Sequence, residues 1–170
     1  NFRLKSFSFL IFDKIYKIMF KLFDFSLRIN GFPIKKAKVE FEKIIAIPDE
    51  KFENYVMEKR NEIVTFHLQN NSFYKNLVGK SDVENWNDLP VLTKKDLQQP
   101  LSERLSSGYS PKTVFVNKTS GSSGDPFVFA KDKECHALTW ASIIYRFGWY
   151  GIDFNSSYQA RFYGIPLDII

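Results

Sequence analysis

The residues with the clearest chemical potential lie in one short loop, Thr119–Gly124, which reads "TSGSSG". Four hydroxyl side chains and two glycines stand there with no bulky side chain between them. Small residues let successive backbone N–H groups approach one another, and such concave arrangements bind anions, phosphate above all. The loop therefore predicts a phosphate-binding site. A flexible hairpin turn of the same composition stays open as an alternative.

The spacing inside this loop excludes three better-known motifs. No lysine follows Gly124, as a Walker A loop would require, and Gly121 and Gly124 are too close together for G-x-G-x-x-G. The glycine pair also encloses one residue too few for a G-x-S-x-G nucleophile elbow. Lys118 precedes the loop and is predicted either to touch phosphate or to be a solvated lysine at a strand end. No catalytic base, nucleophile or metal ligand is assigned from the sequence.

Two segments of high β propensity bracket the loop. Thr113–Val116 and Pro126–Ala130 are rich in β-branched and aromatic residues, which predicts a strand on each side. Asp132 can cap a helix that runs to about Phe147. Tyr158–Tyr163 is predicted to be a further strand. From the first of these strands onward, the chain is therefore expected to begin an alternating α/β unit.

The part of the chain before these strands is predicted to be helical. Asp49 is a suitable N-cap for a helix that continues to about Gln69. Its approximate apolar stripe consists of Phe52, Tyr55, Val56, Ile63 and Phe66. Thr93 with Asp96 three residues later resembles a capping box and predicts a second, short helix.

Residues 1–43 carry the positive charge of the chain. They hold ten Lys/Arg and four Asp/Glu, a balance of +6, whereas residues 44–170 balance at −1. Because the basic character is confined to one segment, a nucleic-acid-binding surface across the whole domain is not expected. An anionic membrane surface or an acidic partner fits this distribution better.

Within that segment, residues 6–29 predict an amphipathic helix that ends near Asn30-Gly31. Its charged residues fall on one narrow stripe: Asp13, Lys14, Lys17, Lys21, Asp24 and Arg28. The longest uncharged stretch is seven residues, which is too short to cross a bilayer. Two interpretations stay open: a helix lying on a membrane surface, and a helix docked on the rest of the protein.

Together these patterns predict an incomplete α/β fold in three parts. Residues 1–43 form a basic amphipathic helical segment, residues 44–112 a helical lead-in, and residues 113–170 the beginning of an α/β core. The chain starts with Asn1 and stops within the apolar run "GIPLDII". We therefore expect it to be a fragment of a longer protein.

Several segments resemble adenylate-forming enzymes. "KTSGSSGDPF" (Lys118–Phe127) resembles their phosphate-binding signature, [ST]-S-G-[ST]-[ST]-G-x-P. "NNSFYKNL" (Asn70–Leu77), "DLPVLTKKDL" (Asp88–Leu97) and "FGWYGID" (Phe147–Asp153) resemble, in the same order, stretches of one branch of that superfamily. This branch is the phenylacetate–CoA ligase family, which includes the capsular polysaccharide biosynthesis protein CapK and coenzyme F390 synthetase.

The resemblance implies an AMP-forming ligase. Enzymes of this family activate a small carboxylate with ATP and Mg²⁺ to give an acyl-adenylate and pyrophosphate, and then pass the acyl group to a thiol such as that of coenzyme A. The loop would hold the β- and γ-phosphates of ATP, and Pro126 would set its exit into the next strand. The ATP-binding residues implied in this way are Thr119, Ser120, Gly121, Ser122, Ser123 and Gly124.

Two features set limits on this expectation. The family's adenine-binding motifs and catalytic lysine lie further downstream than residue 170, so the chain alone is expected not to complete the reaction. Near the end of the loop, where many members carry a lysine, this chain has Asp125 and Phe127. The alternative function is a non-catalytic, membrane-associated binding protein of surface-polysaccharide assembly, anchored by residues 1–43. In both cases we expect a cytoplasmic protein, with peripheral association at the inner membrane face as an option.

Overall fold

The computed structural model describes residues 21–79, 83, 85–119 and 126–160. Its helices and strands, in chain order, are α1 (Leu22–Ile29), α2 (Ile34–Ile45), α3 (Asp49–Asn70), α4 (Ser72–Val78), a 3₁₀ turn (Trp86–Asp88), α5 (Leu101–Arg104), β1 (Phe115–Lys118), β2 (Val128–Lys131) and α6 (Lys133–Gly148). The described chain is thus a helix-rich mixture of helices with one small sheet. The prediction of mixed helix and strand structure is confirmed at this coarse level.

The sheet is an antiparallel hairpin of β1 and β2. Phe115 stands opposite Lys131, and Lys118 stands opposite Val128. Each strand begins two residues later than predicted. Before β1, Thr113 belongs to a turn in which its N–H donates to Ser110 O. Before β2, the predicted segment starts with Pro126, which has no N–H to donate to a neighbouring strand. The two strands pair directly, and α6 follows the second strand, which is the predicted order of strand, loop, strand and helix.

The predicted strand Tyr158–Tyr163 lies only partly within the described residues. Residues 158–160 have no strand partner in the described part of the chain, and residues 161–163 lie outside it. The helical prediction for residues 6–20 also lies outside the described residues. The predicted helix end is confirmed, since α1 stops at Ile29 and Gly31 adopts a left-handed φ of 78°.

Local signals located two other helices correctly. Asp132 caps α6 by accepting a hydrogen bond from the N–H of Cys135 at 2.6 Å. Helix α3 begins at Asp49, so Pro48 occupies the N-cap position and the assignment of Asp49 as the cap was wrong by one residue. Thr93 N–H donates to Asp96 Oδ2 at 2.8 Å and Asp96 N–H donates to Thr93 Oγ1 at 3.4 Å, which are the predicted capping-box contacts, but the segment forms a turn instead of a helix.

The best-packed core lies between α1, α2 and α6. Ile34 is completely buried there, with Leu27 and Ala37 on its own side and Ala137 and Ala141 on α6. The small alanines let α2 approach α6 closely. Helix α2 was not predicted as a separate element, although its apolar positions recur at intervals of three and four residues.

Helix α1 buries one acid of its charge stripe, Asp24, whereas Lys21 and Arg28 of the same stripe are exposed. Asp24 is buried, where Lys38 Nζ donates to its carboxylate at 2.6 Å and Asn155 Oδ1 accepts from its backbone N–H at 3.2 Å. Because these partners satisfy the acid, this part of the stripe faces inward. The residues left outward are Leu22, Phe25 and Ile29, with exposures of 59%, 56% and 69%.

Helix α3 buries Val64 and Leu68, which were not in its predicted apolar stripe. Of that stripe, Tyr55 and Val56 are half-buried, and Phe52, Ile63 and Phe66 are exposed. The physical reason is that the end of the helix meets the segment around Arg104–Ser107, through contacts such as Ser107 N–H to Asn70 O at 2.7 Å. That meeting fixes which side of the helix turns inward.

Candidate functional site

The base of the candidate phosphate loop is closed by a pair of hydrogen bonds. The N–H of Thr119 donates to the carbonyl of Phe127, and the N–H of Phe127 donates to Thr119 Oγ1, both at 2.9 Å. These bonds continue the β1–β2 ladder by one step. The chain therefore leaves and re-enters the hairpin at one point, with residues 120–126 between.

One of the six predicted phosphate-binding residues lies within the described chain. The others, Ser120, Gly121, Ser122, Ser123 and Gly124, lie outside the described residues. Thr119 stands at the base of the loop, where its backbone N–H is already bonded to Phe127. Its hydroxyl accepts one hydrogen bond there and retains its own proton as a donor.

A groove of about 350 Å³ opens beside the second end of the loop. Its lining consists of Leu97, Gln98, Gln99, Arg104, Pro126, Phe127 and Val128. Arg104 is the charged residue of this groove and is held in place by three contacts. Its Nη2 donates to Val128 O at 2.7 Å, its Nε donates to Gln99 O at 2.8 Å, and its guanidinium lies 5.3 Å from the centre of the Phe127 ring.

Arg104 therefore supplies a fixed positive charge beside Phe127 and Val128, which follow the loop in the chain. It forms no ion pair with a carboxylate among the described residues. Burial lowers the pKa of its guanidinium, which nevertheless stays charged at neutral pH. Sequence reasoning missed this residue because 24 positions separate it from Val128, and no local pattern reports that contact.

Three other kinds of candidate group occur near the hairpin: a lysine, a thiol and possible metal ligands. Lys118 is exposed on β1 directly before the loop, so both interpretations of its side chain stay open. Burial, with a smaller contribution from Asp132, raises the pKa of the Cys135 thiol and keeps it protonated. Over the described ranges, no three His, Cys, Asp or Glu side chains are grouped to hold a metal ion.

No protein-family model, curated protein or solved structure matches this chain. The chemical argument therefore depends on the loop and its surroundings. A closed base, a segment rich in small donors and an adjacent arginine together form an arrangement that can hold an anion.

Proposed function

We propose that this chain is the N-terminal part of an ATP-dependent adenylate-forming ligase of the phenylacetate–CoA ligase and CapK type. In that reaction a carboxylate oxygen bonds to the α-phosphorus of ATP as the bond to pyrophosphate breaks. The resulting acyl-adenylate then passes its acyl group to a thiol and releases AMP. The observation that carries the proposal is the closed loop base between Thr119 and Phe127, which holds the ends of the Gly/Ser segment together.

The described residues fit the β- and γ-phosphates in their charge and donor chemistry. Arg104 is a cation beside the loop, and Thr119 retains a hydroxyl donor at its base. Nucleotidyl transfer depends mainly on positioning the phosphates and stabilising their charge, which fixed donors provide. The described residues form no acidic cluster for a metal ion, so Mg²⁺ would arrive with the triphosphate.

The test is ATP–pyrophosphate exchange by the native gene product across a panel of carboxylic acids, after its intact mass has been measured. Ser123→Ala should lower the exchange rate at least about tenfold, because loss of one positioned donor costs that much or more. Gly124→Ala should also lower the exchange rate, because a Cβ restricts the backbone angles that the proposed loop needs. Gly148→Ala is the matched control, since a Cβ at Gly148 meets open space and its φ is ordinary. Exchange that survives both loop substitutions would show that the loop does not hold ATP.

A second candidate function is a non-catalytic, membrane-associated binding protein of surface-polysaccharide assembly. The observation that favours it is the outward apolar stripe of α1, formed by Leu22, Phe25 and Ile29 and flanked by the exposed cations Lys21 and Arg28. Apolar and basic side chains in this combination suit an anionic lipid surface. Within the described ranges, no helix has the length and apolarity needed to cross a membrane.

Binding to vesicles with and without anionic lipid tests this candidate. Deleting residues 1–43 would also remove the core residue Ile34, so substitutions on the stripe are the cleaner change. Leu22→Ser with Phe25→Ser should release the protein from vesicles, whereas Phe52→Ser on the exposed side of α3 should not. Vesicle binding that is unchanged by the α1 substitutions would exclude this stripe as an anchor.

A further inference from the structure

A second cavity of about 350 Å³, the α3–β2 cavity, lies between the end of α3, residues 101–109 and strand β2. Its apolar wall is formed mainly by Ile63, Phe66, Leu101, Leu105, Val114 and Phe129. The volume falls within the range of natural small-molecule pockets, which begins near about 300 Å³. All of the lining belongs to the described chain, so the cavity does not depend on the phosphate loop.

One end of the α3–β2 cavity carries a fixed chain of polar groups. Asn71 Nδ2 donates to Ser106 Oγ at 3.1 Å and to Arg104 O at 2.9 Å, and both Asn71 and Ser106 are buried. Ser106 Oγ also lies within hydrogen-bond distance of His67 Nδ1, at 3.3 Å, so the ring of His67 joins the same network.

Two of the three charged residues that line the cavity, Lys131 and Arg104, are cations. Lys131, on β2, is partly buried and donates to Thr139 Oγ1 at 3.2 Å, but it forms no ion pair with a described carboxylate. Arg104 borders the cavity as a second cation without such a pair. The single lining acid, Asp132, already accepts the N–H of Cys135 as the cap of α6. A partly desolvated cation is stabilised by a negatively charged partner.

We propose that the α3–β2 cavity binds a small amphipathic anion. The apolar body of this ligand lies against Phe66, Leu105 and Phe129, and its single carboxylate meets Lys131. The ring of His67, which lines the cavity, adds a further polar group at the same end. This site is independent of ATP and of the proposed ligase activity, so it is tested without nucleotide.

Titration of the ¹⁵N-labelled chain with octanoate, followed by amide NMR shifts, tests the proposal. Octanoate should shift amides of residues 104–106 and 129–131, and 1-octanol, which has the same chain without the charge, should bind several-fold more weakly. Lys131→Gln should weaken octanoate binding about fivefold, the loss expected for one partly exposed charge-assisted contact, and should leave 1-octanol unchanged. Lys118→Gln is the matched control on the neighbouring strand, since Lys118 is exposed and does not line the cavity.

A second variant keeps the test decisive if Lys131 also affects folding. Ala130→Leu places bulk in the cavity and should abolish octanoate binding, while an unchanged urea midpoint shows that the fold is intact. Octanoate shifts confined to other parts of the chain would overturn the proposal. Equal affinity for octanoate and 1-octanol, or full affinity in a folded Lys131→Gln variant, would do the same.

Discussion

Replacing Ile34 by alanine is the sharpest test of how the basic N-terminal segment joins the rest of the protein. Ile34 has no exposed surface and faces Ala137 and Ala141 on α6, which are 0% and 3% exposed. The substitution removes three carbons, which corresponds to about 2.4 kcal/mol of transfer free energy. Alanines are too short to move into the resulting space, so a cavity penalty adds to that loss. We expect the free energy of unfolding to fall by about 3–4 kcal/mol.

Urea unfolding followed by circular dichroism measures this loss. With a slope of about 2 kcal/mol per molar urea, the midpoint should fall by roughly 1.5–2 M. Ile29→Ala is the matched control, because Ile29 is 69% exposed and its truncation should cost less than about 0.5 kcal/mol. A loss below about 1 kcal/mol for Ile34→Ala would refute the docking of α2 on α6.

Three further predictions address the cap of α6, a buried histidine and the loop base. Asp132→Ala removes the acceptor of the first-turn N–H of α6 and should lower the unfolding free energy by about 1 kcal/mol in urea titrations; no change would exclude the cap. Burial, aided by Lys131, lowers the pKa of His136, so the unfolded chain binds its proton more readily. The free energy of unfolding should therefore keep its full value above about pH 6.5 and decrease as the pH drops below it. In the same pH titration, the His136→Gln variant should lose less unfolding free energy than the unsubstituted chain, and an equal loss would contradict this assignment. Thr119→Val removes the acceptor of the Phe127 N–H and should speed hydrogen exchange of that amide by about tenfold; an unchanged rate would contradict the closed base.

The surroundings of the His136 ring explain why its protonation should lower stability. His136 Nε2 accepts a hydrogen bond from Trp140 Nε1 at 3.1 Å, so protonation of that nitrogen would remove the bond. Its Nδ1 is buried without a partner, and the ring is stacked 3.8 Å from the centre of Phe115. A positive charge in this position would have no described carboxylate beside it, which is costly in an apolar setting.

The sequence by itself determined the elements whose signals are local. The Asp132 cap marked the start of α6, and the left-handed Gly31 marked the end of α1, because capping and glycine conformations depend on a few adjacent residues. β propensity located both strands to within two residues. The small-residue composition of Thr119–Gly124 also singled out the candidate loop without any tertiary information.

Only the tertiary structure decided which faces turn inward and which distant groups meet. Asp24 is buried because Lys38 and Asn155 reach it from 14 and 131 positions away, and no periodicity in α1 encodes those partners. Arg104 likewise meets the loop base through Val128, 24 residues later in the chain. Burial and pairing of charged groups depend on the summed packing of several elements, whereas caps and turns depend on neighbours in sequence. For that reason the sequence identified the loop, and folding supplied its cation and the α3–β2 cavity.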